Sequence, residues 1–147
     1  MSMTSSLFHI VINTYRRQMS INPEYEEDLY RYIWHYLKEN KCKLLRIGGI
    51  ENHIHLLVDI HPTMAVAKMM EQMKRNSSLW MKNSGMFPLF VGWGKEYFGF
   101  SKSTEERDKI INYIKNQKEH HKSISFEEEI KGIVESENRE WDDLLLT

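Results

Sequence analysis

Residues 51–60 read ENHIHLLVDI, and the two histidines, His53 and His55, alternate there with apolar residues. Such an apolar run predicts a β-strand over residues 53–60, in which side chains two apart point to the same face. Both imidazoles then share one face, and Ile54, Leu56 and Val58 share the other. Two imidazoles at this spacing can bind one metal ion. A pair of partly buried, hydrogen-bonded histidines fits the bare pattern as well.

A second polar pair, Tyr113 and Gln117, lies on a predicted helix. The helix begins at a capping box, S-x-x-E, from Ser103 to Glu106. Residues four apart share a helix face, so the pair continues the apolar stripe and points toward the sheet. A glutamine offers a carbonyl oxygen to a metal, and a tyrosine offers a phenol that can form a covalent intermediate. A core tyrosine with a bonded hydroxyl is the alternative for the phenol alone.

The elements that must position these residues alternate along the chain in the order β-α-β-β-α-β-α. We expect a strand at Leu7–Thr14, a helix from Asn22-Pro23 to about Asn40, a hairpin of Lys43–Ile47 and His53–Ile60, a helix after Pro62-Thr63, a strand near Tyr97–Phe100, the tyrosine helix and a shorter acidic helix. This order predicts an α+β fold, a ferredoxin-like (RRM-like) antiparallel sheet with helices on one face and an extra C-terminal helix that carries Tyr113.

The 147 residues fit one domain, 1–147, with 41% hydrophobic and 28% charged residues, as in an ordinary globular protein. No apolar run reaches the ~18 residues of a membrane helix, and the N-terminus lacks a signal-peptide pattern, so we expect a cytoplasmic protein. The single cysteine, Cys42, excludes an intrachain disulfide and a multi-cysteine zinc site.

The net charge of −1 conceals an uneven distribution. Residues 68–122 contain 11 basic and 6 acidic residues, net +5, whereas an acidic tail from about 123 to 147 contains 2 and 8, net −6. A basic segment of this kind is typical either of a solvated helix face or of a surface that contacts nucleic acid. The best candidates for contacts with a DNA backbone are Arg16, Arg17, Lys74 and Arg75.

The stretch ENHIHLL resembles the HUH motif, histidine–hydrophobe–histidine, of the single-tyrosine HUH transposases of small bacterial insertion sequences, the IS200-like family, to which REP-associated tyrosine transposases are related. The segment YIKNQ, Tyr113–Gln117, resembles the Tyr-x-x-x-Gln motif of that family. The resemblance continues in family order through HIVINTYRR, the Lys74-Arg75 segment, WGKEYFGFS and QKEHH, over roughly residues 7–130. H-x-H followed about sixty residues later by Y-x-x-x-Q is much more specific than H-x-H alone.

This resemblance implies an enzyme that cleaves and rejoins single-stranded DNA through a 5′-phosphotyrosine intermediate. Tyr113 would attack phosphorus, and His53 and His55 would bind a divalent ion with Gln117 as the third ligand. The ion would be Mg²⁺ or Mn²⁺, and mixed imidazole and amide ligands suit Mn²⁺ somewhat better. We therefore expect the two histidines and Gln117 to face one open pocket.

The resemblance also implies partners: single-stranded DNA with hairpin ends, and a homodimer in which the tyrosine helix of one subunit often completes the metal site of the other. The first strand, Leu7–Thr14, has few charges, so we expect it to be the sheet edge through which subunits join. We expect the other histidines to be mostly structural or exposed: His9, His35, His61, His120 and His121. His120 and His121 follow the tyrosine helix, so a contact with the phosphate is the alternative to a solvated helix end for these two.

Two alternatives remain open at this point. A domesticated, repeat-associated relative would have the same chemistry without mobility. A non-catalytic module that binds RNA or single strands could use the same scaffold, and the aromatic fragment YFGF faintly resembles the contact motif of such modules. A binding module has no use, however, for a histidine pair combined with Tyr113 and Gln117.

Overall fold

The computed structural model describes residues 2–146, whose centre is a four-stranded antiparallel sheet in the order β2-β3-β1-β4. The strands are β1 (Leu7–Asn13), β2 (Lys43–Ile50), β3 (His53–Asp59) and β4 (Phe98–Lys102). The helices are α1 (Glu26–Glu39), α2 (Val66–Ser84), α3 (Arg107–Lys115), α4 (Gln117–His120) and α5 (Phe126–Ser136). This element order and strand order confirm the predicted ferredoxin-like arrangement.

Different helices cover the two faces of the sheet. On one face, Ile54, Leu56 and Val58 of β3 pack with α1 and α2 in the main apolar core. On the other face, Val11 of β1 packs against α5, and Leu57 of β3 packs against α3. Because side chains alternate along β3, the face of Leu57 is also the face of the histidine pair.

The prediction that the first strand is a sheet edge is wrong. β1 pairs with β3 on one side and with β4 on the other, so it lies inside the sheet. Its low charge has a different cause: nearly all its side chains are buried, because helices cover both faces. Within residues 2–146, the edges of the sheet are β2 and β4.

A glycine brings the tyrosine-bearing helix close to the sheet. Gly48 of β2 pairs directly with His55 of β3. A Cβ atom at Gly48 would lie 2.9 Å from the backbone oxygen of Ile114 in α3. The backbone of α3 therefore approaches the sheet next to the histidine pair, at a distance that a larger residue would increase. Among residues 2–146, no helix has both the length and the apolar character needed to cross a membrane.

Candidate metal centre and active site

A buried carboxylate, Glu129 on α5, lies at the centre of the polar cluster on the second face of the sheet. Its Oε1 atom is 3.2 Å from His53 Nε2 and 3.1 Å from His55 Nε2. A third imidazole nitrogen, His121 Nε2, lies 2.9 Å from the same oxygen. Both histidines of β3 are fully buried, and Glu129 is only 4% exposed. No motif or spacing in the sequence marks Glu129 as a member of this cluster.

The outer nitrogens of the histidine pair are held by other side chains. His53 Nδ1 lies 2.8 Å from the Oδ1 atom of Asn52, the preceding residue. His55 Nδ1 lies 2.8 Å from Nε2 of His9, a buried residue of β1. Contacts of this kind fix the orientation of an imidazole and leave its inner nitrogen free to bind an ion. Both Nε2 atoms accordingly face the same point.

Tyr113 and Gln117 reach this cluster from a helix that is interrupted. The sequence predicts one helix through both residues, but the backbone departs from helical geometry at Asn116, so that Tyr113 lies on α3 and Gln117 on α4. The Gln117 amide donates to Glu129 Oε2 at 2.7 Å, which turns its carbonyl oxygen to within 2.9 Å of His53 Nε2. The Tyr113 hydroxyl donates to the same Oε2 atom. One chain thus brings all four candidate catalytic and metal-binding residues together.

The expectation of an open pocket between the histidines is wrong. The Glu129 carboxylate lies beside both inner nitrogens, because α5 packs over this face of the sheet. The ring of Phe126, at the start of α5, lies 4.4 Å from the His53 ring, centroid to centroid. The amphipathic helix therefore closes a site that the sequence analysis expected to be accessible.

Three histidines outside the predicted site also contact it or border it. His9 contacts His55, and His121 contacts both Glu129 and Gln117. The Nε2 atom of His120 is buried without a hydrogen-bond partner in residues 2–146, at 3.5 Å from Glu129 Oε2. For His120 and His121, the signal in the sequence was their position directly after the tyrosine motif. His9, on β1, had no such signal.

Burial and the cluster itself determine the charges. Burial lowers the pKa of His53 to about 4 and that of His9 to about 3, so both rings are neutral at pH 7. Burial opposes ionisation of Glu129, but the imidazoles of His121, His53 and His55, which face its Oε1 atom, outweigh it and hold its pKa well below the usual range. Burial, and then the hydrogen bond to Glu129, raise the pKa of Tyr113. The cluster thus surrounds one buried negative charge.

The nitrogen and oxygen atoms that face each other in the cluster require a cation between them, and His121 shows this most clearly. Its Nδ1 donates to the backbone oxygen of Ile124 at 2.9 Å, so that nitrogen must carry the hydrogen of a neutral ring. Its Nε2 faces two oxygens, of Glu129 at 2.9 Å and of Gln117 at 3.1 Å. A lone pair facing oxygens is unfavourable, so a proton or a metal ion is required at Nε2. Burial alone would lower the pKa of His121, but the hydrogen bond and charge of Glu129 raise it, as this geometry requires.

The spacing of these atoms fits a metal ion. Neighbouring nitrogen and oxygen atoms in the cluster are 2.9 to 3.2 Å apart. Ligands at ~2.1 Å around an octahedral ion are separated by about 3.0 Å. His53, His55 and Glu129 form a group able to hold a divalent ion. Gln117 and His121 can supply further ligands.

The sequence of the chain matches the protein family described as "Transposase IS200 like" over residues 2–117. The chain belongs to the IS200-like transposase family. This finding confirms the resemblance carried by the HIH and YIKNQ segments. The matched region ends at Gln117, so α5 and Glu129 lie beyond it.

Two solved structures share the fold of this IS200-like transposase. A Deinococcus radiodurans R1 protein, provisionally described as a transposase, is 21% identical with a TM-score of 0.62, covering 79% of this chain and 93% of that one. A REP-associated tyrosine transposase bound to a REP hairpin is 11% identical with a TM-score of 0.62. The match covers 82% of this chain and 71% of that one. At these identities the likeness supports the fold alone. No curated protein sequence matches the chain.

A cavity of about 370 Å³ borders the tyrosine of the transposase. Tyr113 and His9 line it together with two cations, Lys102 and Lys109, and with the amides Asn112 and Asn116. Lys102 is largely buried and pairs with Glu137, which follows α5. A cavity with cations and amide donors beside a phenol suits a phosphate group.

The four candidate DNA-binding residues of the transposase are not gathered around this cavity. Arg17 pairs with Glu127 of α5 at 3.0 Å, and the adjacent Arg16 is exposed. Lys74 and Arg75 belong to α2, on the opposite face of the sheet from α5. They line a groove of about 490 Å³ together with the aromatic residues Trp93 and Tyr97.

Proposed function

We propose that this IS200-like transposase is a metal-dependent endonuclease and strand transferase for single-stranded DNA, with Tyr113 as its nucleophile. The observation that carries the proposal is the contact of the Tyr113 hydroxyl with a carboxylate that also contacts His53 and His55. A nucleophile and a candidate metal site so close together are what phosphoryl transfer requires.

The proposed metal ligands are His53, His55 and Gln117, and the ion is Mg²⁺ or Mn²⁺. Support comes from the distances between their inner atoms and from the outer contacts of Asn52 and His9, which hold both rings in place. When bound, a divalent ion would polarise the scissile phosphate and stabilise the charge that develops in the transition state.

The residues of the chain would then carry the reaction in one displacement. The Tyr113 oxygen attacks phosphorus, the bond from phosphorus to the 3′ oxygen breaks, and a 5′-phosphotyrosine and a free 3′-OH result. The tyrosine ester preserves the energy of the phosphodiester, so a 3′-OH can later attack it and rejoin the strands without ATP. Lys109 borders the cavity and would offset the phosphate charge, whereas Lys102 is paired there with Glu137.

For the substrate, we propose a single strand with hairpin ends, in keeping with the hairpin bound by the REP-associated transposase. The groove along α2 combines the cations Lys74 and Arg75 with Trp93 and Tyr97. Cations that follow a backbone and rings that stack on bases are typical of single-strand binding. Arg16 and Arg17 are the other proposed backbone contacts. A domesticated relative would use the same residues.

We also propose that the transposase acts in the cytoplasm as a homodimer of single-domain subunits, 1–147, each with an acidic tail from about residue 123. The subunits would join through an edge strand, β2 or β4, because β1 is internal. Light scattering should give about twice the 17.7 kDa mass of one chain at micromolar concentration. The mass of a single chain at every concentration would contradict the dimer.

Covalent capture tests the chemistry. The protein is incubated with Mn²⁺ and hairpin-bearing single strands from its genomic flanks, each labelled at the 5′ or the 3′ end, and resolved on a denaturing gel. A 5′-phosphotyrosine predicts that only the 3′-labelled fragment becomes attached to protein, while the 5′-labelled fragment is released.

Tyr113→Phe removes one oxygen and should abolish the adduct while leaving the fold and DNA binding intact. Tyr97→Phe is the matched control, since Tyr97 lines the groove on α2, and it should still form the adduct. An adduct in the Tyr113→Phe protein would assign the nucleophile to another residue.

A further inference from the structure

The two oxygens of Glu129 have different neighbours. Oε1 faces three imidazole nitrogens, of His53, His55 and His121, at 2.9 to 3.2 Å. Oε2 accepts hydrogen bonds from the Tyr113 hydroxyl and from the Gln117 amide. One carboxylate therefore connects the candidate metal site to the candidate nucleophile.

Glu129 is set apart from the other acidic residues of its segment. The preceding Glu127 and Glu128 are exposed, whereas Glu129 is buried. Glu128 forms the capping box with Ser125 that starts α5, which fixes where the helix begins. The apolar residues Phe126, Ile130 and Val134 then hold the helix against β1 and β4. Glu129 is thus carried into the site by a packed helix.

We infer that Glu129 is both a metal ligand, through Oε1, and the group that orients the Tyr113 hydroxyl, through Oε2. The inference rests on the proposed function and deepens it, because it adds to the reaction a residue that lies beyond the part of the chain matched by the family. It places one catalytic group in the acidic tail.

The orienting contact fits the displacement, which balances overall. The Tyr113 oxygen forms its bond to phosphorus and loses its proton, the bond from phosphorus to the 3′ oxygen breaks, and that oxygen leaves with the electron pair and takes up a proton. Rejoining runs the same events in reverse.

The surroundings of Glu129 fit both roles. A carboxylate oxygen is a preferred ligand for a hard divalent ion, and it brings a negative charge that neutral imidazoles lack. A divalent cation bound at Oε1 would also reduce the repulsion between the Glu129 carboxylate and the negative charge that develops on the Tyr113 oxygen. Beside Oε2, at 3.5 Å, lies the Nε2 atom of His120, which is buried and has no hydrogen-bond partner within residues 2–146.

The test compares Glu129→Gln, which keeps the shape of the side chain but removes its charge, with Glu135→Gln at an exposed position of the same helix. Free Mn²⁺ is titrated without DNA and followed by electron paramagnetic resonance. Separately, the rate of adduct formation is measured at saturating Mn²⁺. Glu129→Gln should weaken Mn²⁺ binding at least about 10-fold and slow the adduct at least about 100-fold. Glu135→Gln should change neither.

Glu129→Asp keeps the charge but shortens the side chain, so it should retain more Mn²⁺ affinity than Glu129→Gln while still slowing the adduct. Circular dichroism melting verifies that each variant folds. Unchanged Mn²⁺ affinity, or an adduct rate equal to or above wild type for Glu129→Gln, would overturn the inference while leaving the proposed function intact. If wild type forms no adduct, the proposed function and the orienting role are both contradicted, and the Mn²⁺ titration still decides whether Glu129 is a ligand.

Discussion

The two faces of strand β3 carry side chains of opposite chemical character. Toward α1 and α2 the strand presents Ile54, Leu56 and Val58, which pack among methionines and isoleucines of the main core. Toward α3 and α5 it presents His53 and His55. The side chains named on both faces are fully buried, yet only the second face includes groups that must be hydrogen-bonded when buried. A buried polar face therefore needs a partner of its own, which α5 supplies as Glu129.

Replacing one residue on each face should separate chemistry from stability. His55→Ala removes a proposed metal ligand and should reduce the rate of covalent adduct formation at least about 1000-fold. Because it leaves the buried Glu129 with one partner fewer, it should also lower the free energy of unfolding by about 1–3 kcal/mol. Adduct capture and urea denaturation measure the two effects.

Leu56→Ala, on the adjacent residue, is the matched control. It creates a cavity in the apolar core and should cost about 2–5 kcal/mol of unfolding free energy. The adduct rate per folded molecule should stay within a few-fold of wild type. The assignment of chemistry to one face and stability to the other would be wrong in either of two cases. In the first, His55→Ala keeps the wild-type adduct rate. In the second, Leu56→Ala loses adduct formation while it is still folded.

The distinction between the faces was readable from the sequence only in part. The alternation of HIH sets the face of each side chain, because a period of two is a local property of a strand. The placement of β1 inside the sheet depends on which distant strands pair, and its low charge signalled burial on both faces rather than an edge. Local patterns carry no such pairing information.

The role of Glu129 was beyond local patterns for the same reason. Helical spacing puts it beside the apolar stripe of Phe126 and Ile130, which was the only signal that it is less exposed than Glu127 and Glu128. Its partner His55 lies 74 residues earlier in the chain. Periodicity shows that a face is buried, but it does not identify the residue that the face will meet.

Acid should weaken the polar face in the metal-free protein. His9 and His53 have pKa values lowered by burial to about 3 and about 4, whereas both titrate near 6.5 in the unfolded chain. Below pH 6.5 the unfolded chain therefore binds protons that the folded chain does not. From these two rings alone, the free energy of unfolding should fall by roughly 5 kcal/mol from pH 6.5 to 4.

The raised pKa of His121 acts in the opposite direction, since it favours the folded protein below pH 6.5, and it offsets part of this loss. Urea denaturation in EDTA at several pH values measures the balance. His9→Phe should make the free energy of unfolding depend less on pH. Stability that stays constant or rises toward pH 4 would show that the buried rings become protonated in the folded state.

The smallest expected effect concerns the distance between α3 and the sheet. Gly48→Ala places a Cβ against the Ile114 backbone and should displace Tyr113. We expect a roughly tenfold slower adduct and a loss of about 1–2 kcal/mol in unfolding free energy. Gly132→Ala in α5 meets open space and should instead stabilise by about 0.5–1 kcal/mol at an unchanged rate. If the two variants had the same adduct rate and the same unfolding free energy, the close approach of α3 to the sheet at Gly48 would be contradicted.

The distance along the chain between His55 and Glu129 also has a consequence for biosynthesis. The two residues are 74 positions apart, so at 5–20 residues per second the ribosome adds Glu129 roughly 4–15 s after His55. A nascent chain that stops after Gln117 contains every residue of the family motifs but lacks the carboxylate. With Glu129 as the proposed ligand, the site stays incomplete until the ribosome has passed residue 129, well after both histidines have been synthesised.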